Sequence, residues 1–235
     1  MNALLRAEGI VKRFGGFTAL DTVSVHVAAG ERLGIIGPNG SGKTTLMNVI
    51  AGRMRPDAGS ITFDGAGLGG MPAWRRARLG IARTFQIPLP FGGLSLHDNL
   101  RVPLEQQAEA DPPGRANALL AEFGLARRAG DLAADLSQVE LRKLELARAV
   151  AGGPRLLISD EAMAGLSGAE IDEVLELLLR LNARGITVVM IEHMMRAIMR
   201  FSQRVICLDV GRVIAEGTPD AVVAHPDVRR AYLGA

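Results

Sequence analysis

One cysteine, Cys207, is all the thiol chemistry this 235-residue chain carries. That excludes an internal disulfide and any metal cluster built on several thiolates, and it fits a reducing cytosolic compartment, with Cys207 read as a small core hydrophobe. Long apolar runs are missing too. The opening segment MNALLRAEGIVKRF is interrupted by Arg6, Glu8 and Lys12, so no signal peptide is predicted, and no stretch approaches the roughly 18 to 20 apolar residues that span a bilayer. Any role at a membrane is therefore expected to run through a partner. Nor is there an excess of one charge: 27 basic residues face 25 acidic ones, which gives no electrostatic reason to expect a nucleic-acid partner. Repeats and low-complexity segments are absent as well.

What is present is a chain that is 48% apolar, long enough for one large α/β domain with a small subdomain and too short for two full-sized domains. Residues 4–36 read as strand material, with the alternating VSVHV at 23–27, a turn at Ala28-Ala29-Gly30 and a buried run from Arg32 to Ile36. Helical spacing follows from Lys43 to Met54, broken by Arg55-Pro56-Asp57-Ala58-Gly59 before a short strand, Ser60 to Phe63. From 87 to 150 the pattern changes to helices separated by IPLPFGG and ADPPG, which predicts a small helical insert. Alternation then resumes: a strand at 155–159, a helix at 168–184, a strand at 186–191, a helix at 194–201 and the hairpin VICLDVGRVIAEG. Such alternation predicts a mainly parallel sheet with its ligand beyond the carboxyl ends of the strands.

The chemistry begins in Gly37-Pro38-Asn39-Gly40-Ser41-Gly42-Lys43-Thr44-Thr45, which matches GxxxxGK[ST] between a strand and a helix. Its glycines let backbone N–H groups wrap an anion at a helix N-terminus, Lys43 brings charge to the β- and γ-phosphates, and the Thr44 hydroxyl can ligate Mg²⁺. An acidic strand end should complete such a site. Arg155-Leu156-Leu157-Ile158-Ser159-Asp160-Glu161 supplies one, with Asp160 placed to hold Mg²⁺ and Glu161 to polarise an attacking water.

With these in order, the chain resembles the ATP-binding subunits of ABC transporters along essentially its whole length. The resemblance implies a P-loop NTPase core with a mainly parallel sheet, added N-terminal antiparallel strands and a small helical subdomain. It assigns 1–86 and 151–217 to the nucleotide-binding core, 87–150 to the helical subdomain and 218–235 to a C-terminal tail. It further implies ATP and Mg²⁺ as cofactors. Gln86, in Thr84-Phe85-Gln86, would sense Mg²⁺ and the γ-phosphate, and His193, ending Val188-Val189-Met190-Ile191-Glu192-His193, would contact the γ-phosphate. Gly165, Leu166 and Ser167 would form the loop that crosses a dimer seam. Phe14 matches the aromatic position that stacks on adenine, Phe17 being the alternative. The segment Ser137, Gln138, Val139, Glu140 stands where the family places the signature that closes over a partner's ATP. Taken singly, a histidine at a strand end or a polar Gln86 is ordinary; their order around the phosphate loop gives them meaning.

Within the family, ARTFQ, FGGLSLHDNL, DEAMAGLS, IEHMMRAIM, AEGTP and RRAYLG are similar to the ATPases of branched-chain amino acid importers. That implies a second ATPase subunit, transmembrane permease subunits, indirectly a periplasmic binding protein, and a place on the cytoplasmic face of the inner membrane. Importers of urea or amides, lipopolysaccharide export, and a nucleotide-binding regulatory or scaffolding module with little turnover are the alternatives. The chief departure is Val139, where the family has glycine. Ser137 and Glu140 still predict a capping box. Val139 either obstructs the approach to phosphate, for which losing one aimed donor costs about 2.7 to 4 kcal/mol, or is accommodated at the helix start. Milder departures are Ser159 at the last apolar strand position, Ala162 for the family's proline and Met194 for its aspartate, and the Met-rich stretch from Met194 to Met199 reads as core.

Overall fold

The computed structural model describes residues 3–233. Strands β1 (Ala3–Phe14) and β2 (Phe17–Ala28) form a long hairpin. They pair with β4 (Ala58–Phe63) and β5 (Ala66–Gly67) in an antiparallel sheet of order β2-β1-β4-β5. The second sheet is built from β3 (Arg32–Ile36), β6 (Ile81–Arg83), β7 (Leu156–Asp160), β8 (Thr187–Ile191), β9 (Arg204–Asp209) and β10 (Arg212–Gly217). Its order is β10-β9-β3-β8-β7-β6. All its pairings are parallel except that of β10 on β9, as the α/β alternation predicts.

The parallel strands are buried on both faces, and their alternation divides the interior. Leu33, Ile35, Ile158, Val189, Ile191 and Ile206 face the antiparallel sheet and helix α1 (Lys43–Ile50). Leu157, Val188, Met190, Val205 and Cys207 face the opposite core, which contains α6 (Gly168–Ala183) and α7 (Met195–Phe201). That second core runs without a break into α3 (Leu96–Gln106), α4 (Pro112–Glu122) and α5 (Gln138–Ala151), through Leu100, Leu119, Phe123 and Leu144. Cys207 is fully buried, as a core hydrophobe should be. No described helix is long and apolar enough to cross a membrane.

Two elements escape the sequence pattern. Helix α2 (Ala73–Arg78) and strand β6 are six and three residues long, too short to show a period. The same region explains why α1 stops at Ile50 rather than Met54. Gly52 turns left-handed at φ +78°, and Arg76 of α2 plugs the helix end, its Nη1 donating to Val49 O at 2.9 Å and Ile50 O at 2.7 Å. Its Nε and Nη2 donate to Met71 O and Leu68 O. One buried guanidinium thus satisfies two carbonyls at the end of α1 and two in the neighbouring loop. The C-terminal residues add two short helices, α8 (Pro219–Ala224) and α9 (Pro226–Leu233), anchored in the core by Val222 and Val228.

Candidate functional site

The carboxyl ends of β3, β7 and β8 lie side by side, and the residues that follow them build one cleft. After β3 the chain turns through Gly37 to Gly42, with Gly40 at φ +79° and Gly42 at φ +102°. A Cβ on Gly42 would stand 2.6 Å from Ala19 O, and one on Gly37 would stand 2.1 Å from Leu208 O. Only glycine fits against those backbones. The β9–β10 turn supports the loop from below, Gly211 N donating to Ser41 O at 3.0 Å. Lys43 is buried, and its ammonium donates to Gly37 O at 2.7 Å and Pro38 O at 3.0 Å. Burial lowers its pKa, opposed by the charges of Glu161 and Asp160. Thr44 is exposed and Thr45 half-buried at the first turn of α1.

The cleft holds about 250 Å³ and is lined by Phe14, Phe17, Ala19, Asn39 through Thr45, Glu161 and His193. Phe14 and Phe17 face each other across the β1–β2 hairpin, and both rings are about half exposed, at 47% and 56%. The structure therefore offers two aromatic faces where the sequence singled out Phe14.

Gln86, Glu161 and His193 come together in space. Gln86 Nε2 donates to Glu161 Oε2 at 2.5 Å, and His193 Nε2 lies 2.7 Å from Glu161 Oε1. Both carboxylate oxygens of Glu161 are thus held, and its backbone sits at φ +47°, a strained conformation for a residue with a Cβ. Gln86 meets the cleft only through Glu161. Asp160, by contrast, is buried against a residue the sequence reading left out: Arg83 Nη2 donates to Asp160 Oδ2 at 2.5 Å, and Arg83 Nη1 to Asn48 Oδ1 at 2.6 Å. No spacing rule could have revealed that pairing, since Arg83 and Asp160 stand 77 residues apart. Among the described residues no three His, Cys, Asp or Glu side chains cluster as a metal cage. Thr44 on the cleft wall and Asp160 outside its lining, with its Oδ2 engaged by Arg83, offer one hydroxyl and one carboxylate, a sparse donor set that suits Mg²⁺, which keeps several waters and substrate phosphates as ligands.

The loop through Gln86 is held by α5. Arg142 donates to Phe85 O at 3.0 Å and to Gln86 O at 2.7 Å, Glu145 Oε1 accepts from Phe85 N at 2.7 Å, and Arg148 donates to Leu89 O at 2.7 Å. Burial pushes the Glu145 carboxyl up to about 7. Sequence reasoning passed over all three, because polar residues inside an amphipathic helix ordinarily face water.

At the start of α5 the expected capping box is formed: Ser137 Oγ accepts from Glu140 N, and Ser137 N and Oγ donate to Glu140 Oε2 at 2.9 and 2.8 Å. Arg128 pairs with the same carboxylate at 2.7 Å. The Val139 side chain packs against the helical core. Gln138 reaches Gly165, where a Cβ would lie 2.9 Å from Gln138 Oε1. Leu166 rests partly on the core and Ser167 caps α6 through Glu170. Of the milder departures, Ala162 is buried, Ser159 keeps a buried hydroxyl with no hydrogen-bond partner among the described residues, and Met194 gives α7 no side-chain cap.

A family model described as "ABC transporter" matches residues 20–164. The chain belongs to that family. It is an ABC ATPase, the ATP-binding subunit of a transporter. Its last part, residues 212–235, matches a model described as "Branched-chain amino acid ATP-binding cassette transporter". A probable ABC transporter ATP-binding protein of Azorhizobium caulinodans is 39% identical over 98% of this ABC ATPase and 83% of that protein. The high-affinity branched-chain amino acid transport ATP-binding protein LivG of Salmonella typhimurium is 36% identical over 98% of each chain. A solved structure of a nucleotide-free ATP-binding cassette from an ABC transporter superposes over the whole of both chains with a TM-score of 0.90 at 31% identity.

One buried acid beside the site gives this ABC ATPase a pH dependence. Glu192 accepts from Met163 N at 3.0 Å, and burial, reinforced by the charge of Glu161, pushes its carboxyl up from 4.5 to about 7. The folded state therefore binds this proton more tightly than the unfolded chain does, and stability is lost as pH rises from the ordinary carboxylate value through about 7. Glu192→Gln keeps the acceptor and removes the charge. It is expected to raise Tm near pH 8 and to leave it close to the parent near pH 4, checked by thermal unfolding at both; equal shifts at the two pH values would refute the assignment.

Proposed function

We propose that this ABC ATPase energises import of branched-chain amino acids, binding and hydrolysing ATP in a pair with a second ATPase subunit at the cytoplasmic face of the membrane. One observation carries the catalytic half: Glu161, gripped by Gln86 and His193, lines the same 250 Å³ cleft as Lys43. The names of the relatives carry the transported solute.

In this reading Gly37, Pro38, Asn39, Gly40, Ser41, Gly42, Lys43, Thr44 and Thr45 hold the triphosphate, with Phe14 or Phe17 against the adenine. Lys43 exchanges its carbonyl partners for phosphate oxygens, a gain because the buried ammonium meets full negative charge. Thr44, Asp160 and Gln86 would hold Mg²⁺, which neutralises charge developing on the phosphates. Glu161 takes a proton from the attacking water, and His193 orients the carboxylate. Ser137, Gln138, Val139 and Glu140 of one subunit close over the ATP of the other, while Gly165, Leu166 and Ser167 line the seam.

The permease is proposed to dock in the groove of about 360 Å³ between α2, the loop through Phe85 and α5, lined by Arg53, Trp74, Phe85 and Arg148. Ile87 and Leu89 nearby are 74% and 58% exposed, which suits an apolar partner. The segment 87–150 acts as the docking arm, and a periplasmic binding protein delivers the solute.

Reconstitution with permease and binding protein in proteoliposomes tests the reading: ATP-dependent leucine uptake supports it, and ATPase activity stimulated by urea, amides or lipopolysaccharide instead would replace the solute. Because Val139 packs against the core, Val139→Gly is expected to leave kcat within about threefold and to lower stability by about 1 to 2 kcal/mol through lost burial and helix propensity. Phosphate-release assays and thermal melts separate this from obstruction, under which kcat would climb at least about tenfold.

A further inference from the structure

The tail helix α9 ends against the phosphate loop. Tyr232, the one tyrosine of the chain, accepts a hydrogen bond from the backbone N–H of Gly37 at 2.8 Å, across 195 residues of sequence. Gly37 opens the loop and is held on two further sides. Its carbonyl takes the Lys43 ammonium at 2.7 Å, and its Cα lies so close to Leu208 O that a Cβ would stand 2.1 Å away.

We propose that Tyr232 is a positioning residue for the nucleotide site, the C-terminal helix fixing the first peptide of the phosphate loop through Gly37. The tail has its own anchorage, with Val222 and Val228 in the core and Thr218 capping α8, so the phenol is presented from a fixed support. Its ring also lines a groove with Met195 and Val228, and Met195 lies two residues beyond His193. Tyr232 therefore reaches the phosphate loop from a groove whose wall includes the segment that follows the histidine beside Glu161. Burial raises the phenol's pKa above its ordinary value, and the hydroxyl is neutral at physiological pH with or without that shift.

The inference rests on the reading that this loop holds the triphosphate. When Lys43 leaves Gly37 O for phosphate, Tyr232 keeps the other side of the residue in place, and the backbone donors further along stay aimed. Removing only the hydroxyl leaves the Gly37 N–H without its partner. The loss falls on nucleotide affinity rather than on chemistry, because Tyr232 touches neither Glu161 nor His193.

Tyr232→Phe keeps the ring in its groove. ATP affinity by equilibrium titration is expected to weaken about 5- to 10-fold, with kcat at saturating ATP reduced by less than about twofold and Tm shifted by less than about 2 °C. A Kd within about twofold of the parent overturns the proposal. Fluorinated tyrosine incorporated into the unaltered protein gives a single fluorine NMR resonance, which should shift on saturation with Mg-ATP; a resonance that does not move also overturns it. Failure of the parent itself to bind ATP would instead bring down the underlying reading, and the two failures are told apart in the same titration.

Discussion

Glu161→Gln is expected to lower ATP turnover by about 10²- to 10⁴-fold, the range for removing a positioned general base, while ATP affinity stays within about threefold. The substitution keeps the shape of the side chain, so the contacts to Gln86 and His193 can persist with one hydrogen bond reversed. What it removes is, among the described residues, the one carboxylate that lines the cleft. Asp160 is a poor substitute because Arg83 already occupies its Oδ2. Phosphate release under single-turnover conditions and nucleotide titration give the two numbers. Turnover above about a tenth of the parent's would mean that another group takes the proton.

Arg76→Leu is the counterpart for stability. Four backbone carbonyls, those of Val49, Ile50, Leu68 and Met71, accept from this one guanidinium, and the residue is only 3% exposed. Leucine fills the space and leaves Ile50 O and Met71 O without a donor among the described residues, while Val49 O and Leu68 O keep only the backbone N–H groups of Gly52 and Met71, at a cost of roughly 3 to 5 kcal/mol. That is a large share of the roughly 5 to 15 kcal/mol available to a domain and corresponds to a Tm lower by roughly 6 to 20 °C. Arg76→Lys, with one ammonium for four acceptors, should fall between. A Tm change below about 2 °C in Arg76→Leu would show that water or a loop shift satisfies the carbonyls instead.

What could be read from the chain divides along a physical line. The phosphate loop was legible because its chemistry depends on residue order: glycines where a Cβ would strike Ala19 O or Leu208 O, then Lys43 on the first turn. The parallel strands were legible because burial on both faces leaves unbroken apolar runs, and the capping box at Ser137 because its partners are three residues apart. Arg76, Arg83, Arg142, Glu145 and Tyr232 were not legible. Each is polar and works by meeting a group 5 to 195 residues away, and nothing in local periodicity marks an arginine that will be buried. The resemblance to a family found Gln86 and His193 by order alone, whereas their meeting on Glu161 is a fact of geometry. Helix α2 lacked enough turns to show a face, and α1 overran its end because the group that stops it lies on α2.

The loop from Phe85 to Leu89 is suspended from α5 by Arg142, Glu145 and Arg148 at four backbone points. Bonds of 2.7 to 3.0 Å, three of them from guanidinium groups, are stiff compared with an unsupported loop. A displacement of that helix therefore arrives at the Gln86 amide with little slack, and from there at the carboxylate of Glu161. Wherever α5 is pushed, at its exposed start or along the groove it borders, the strain is delivered to the same oxygen.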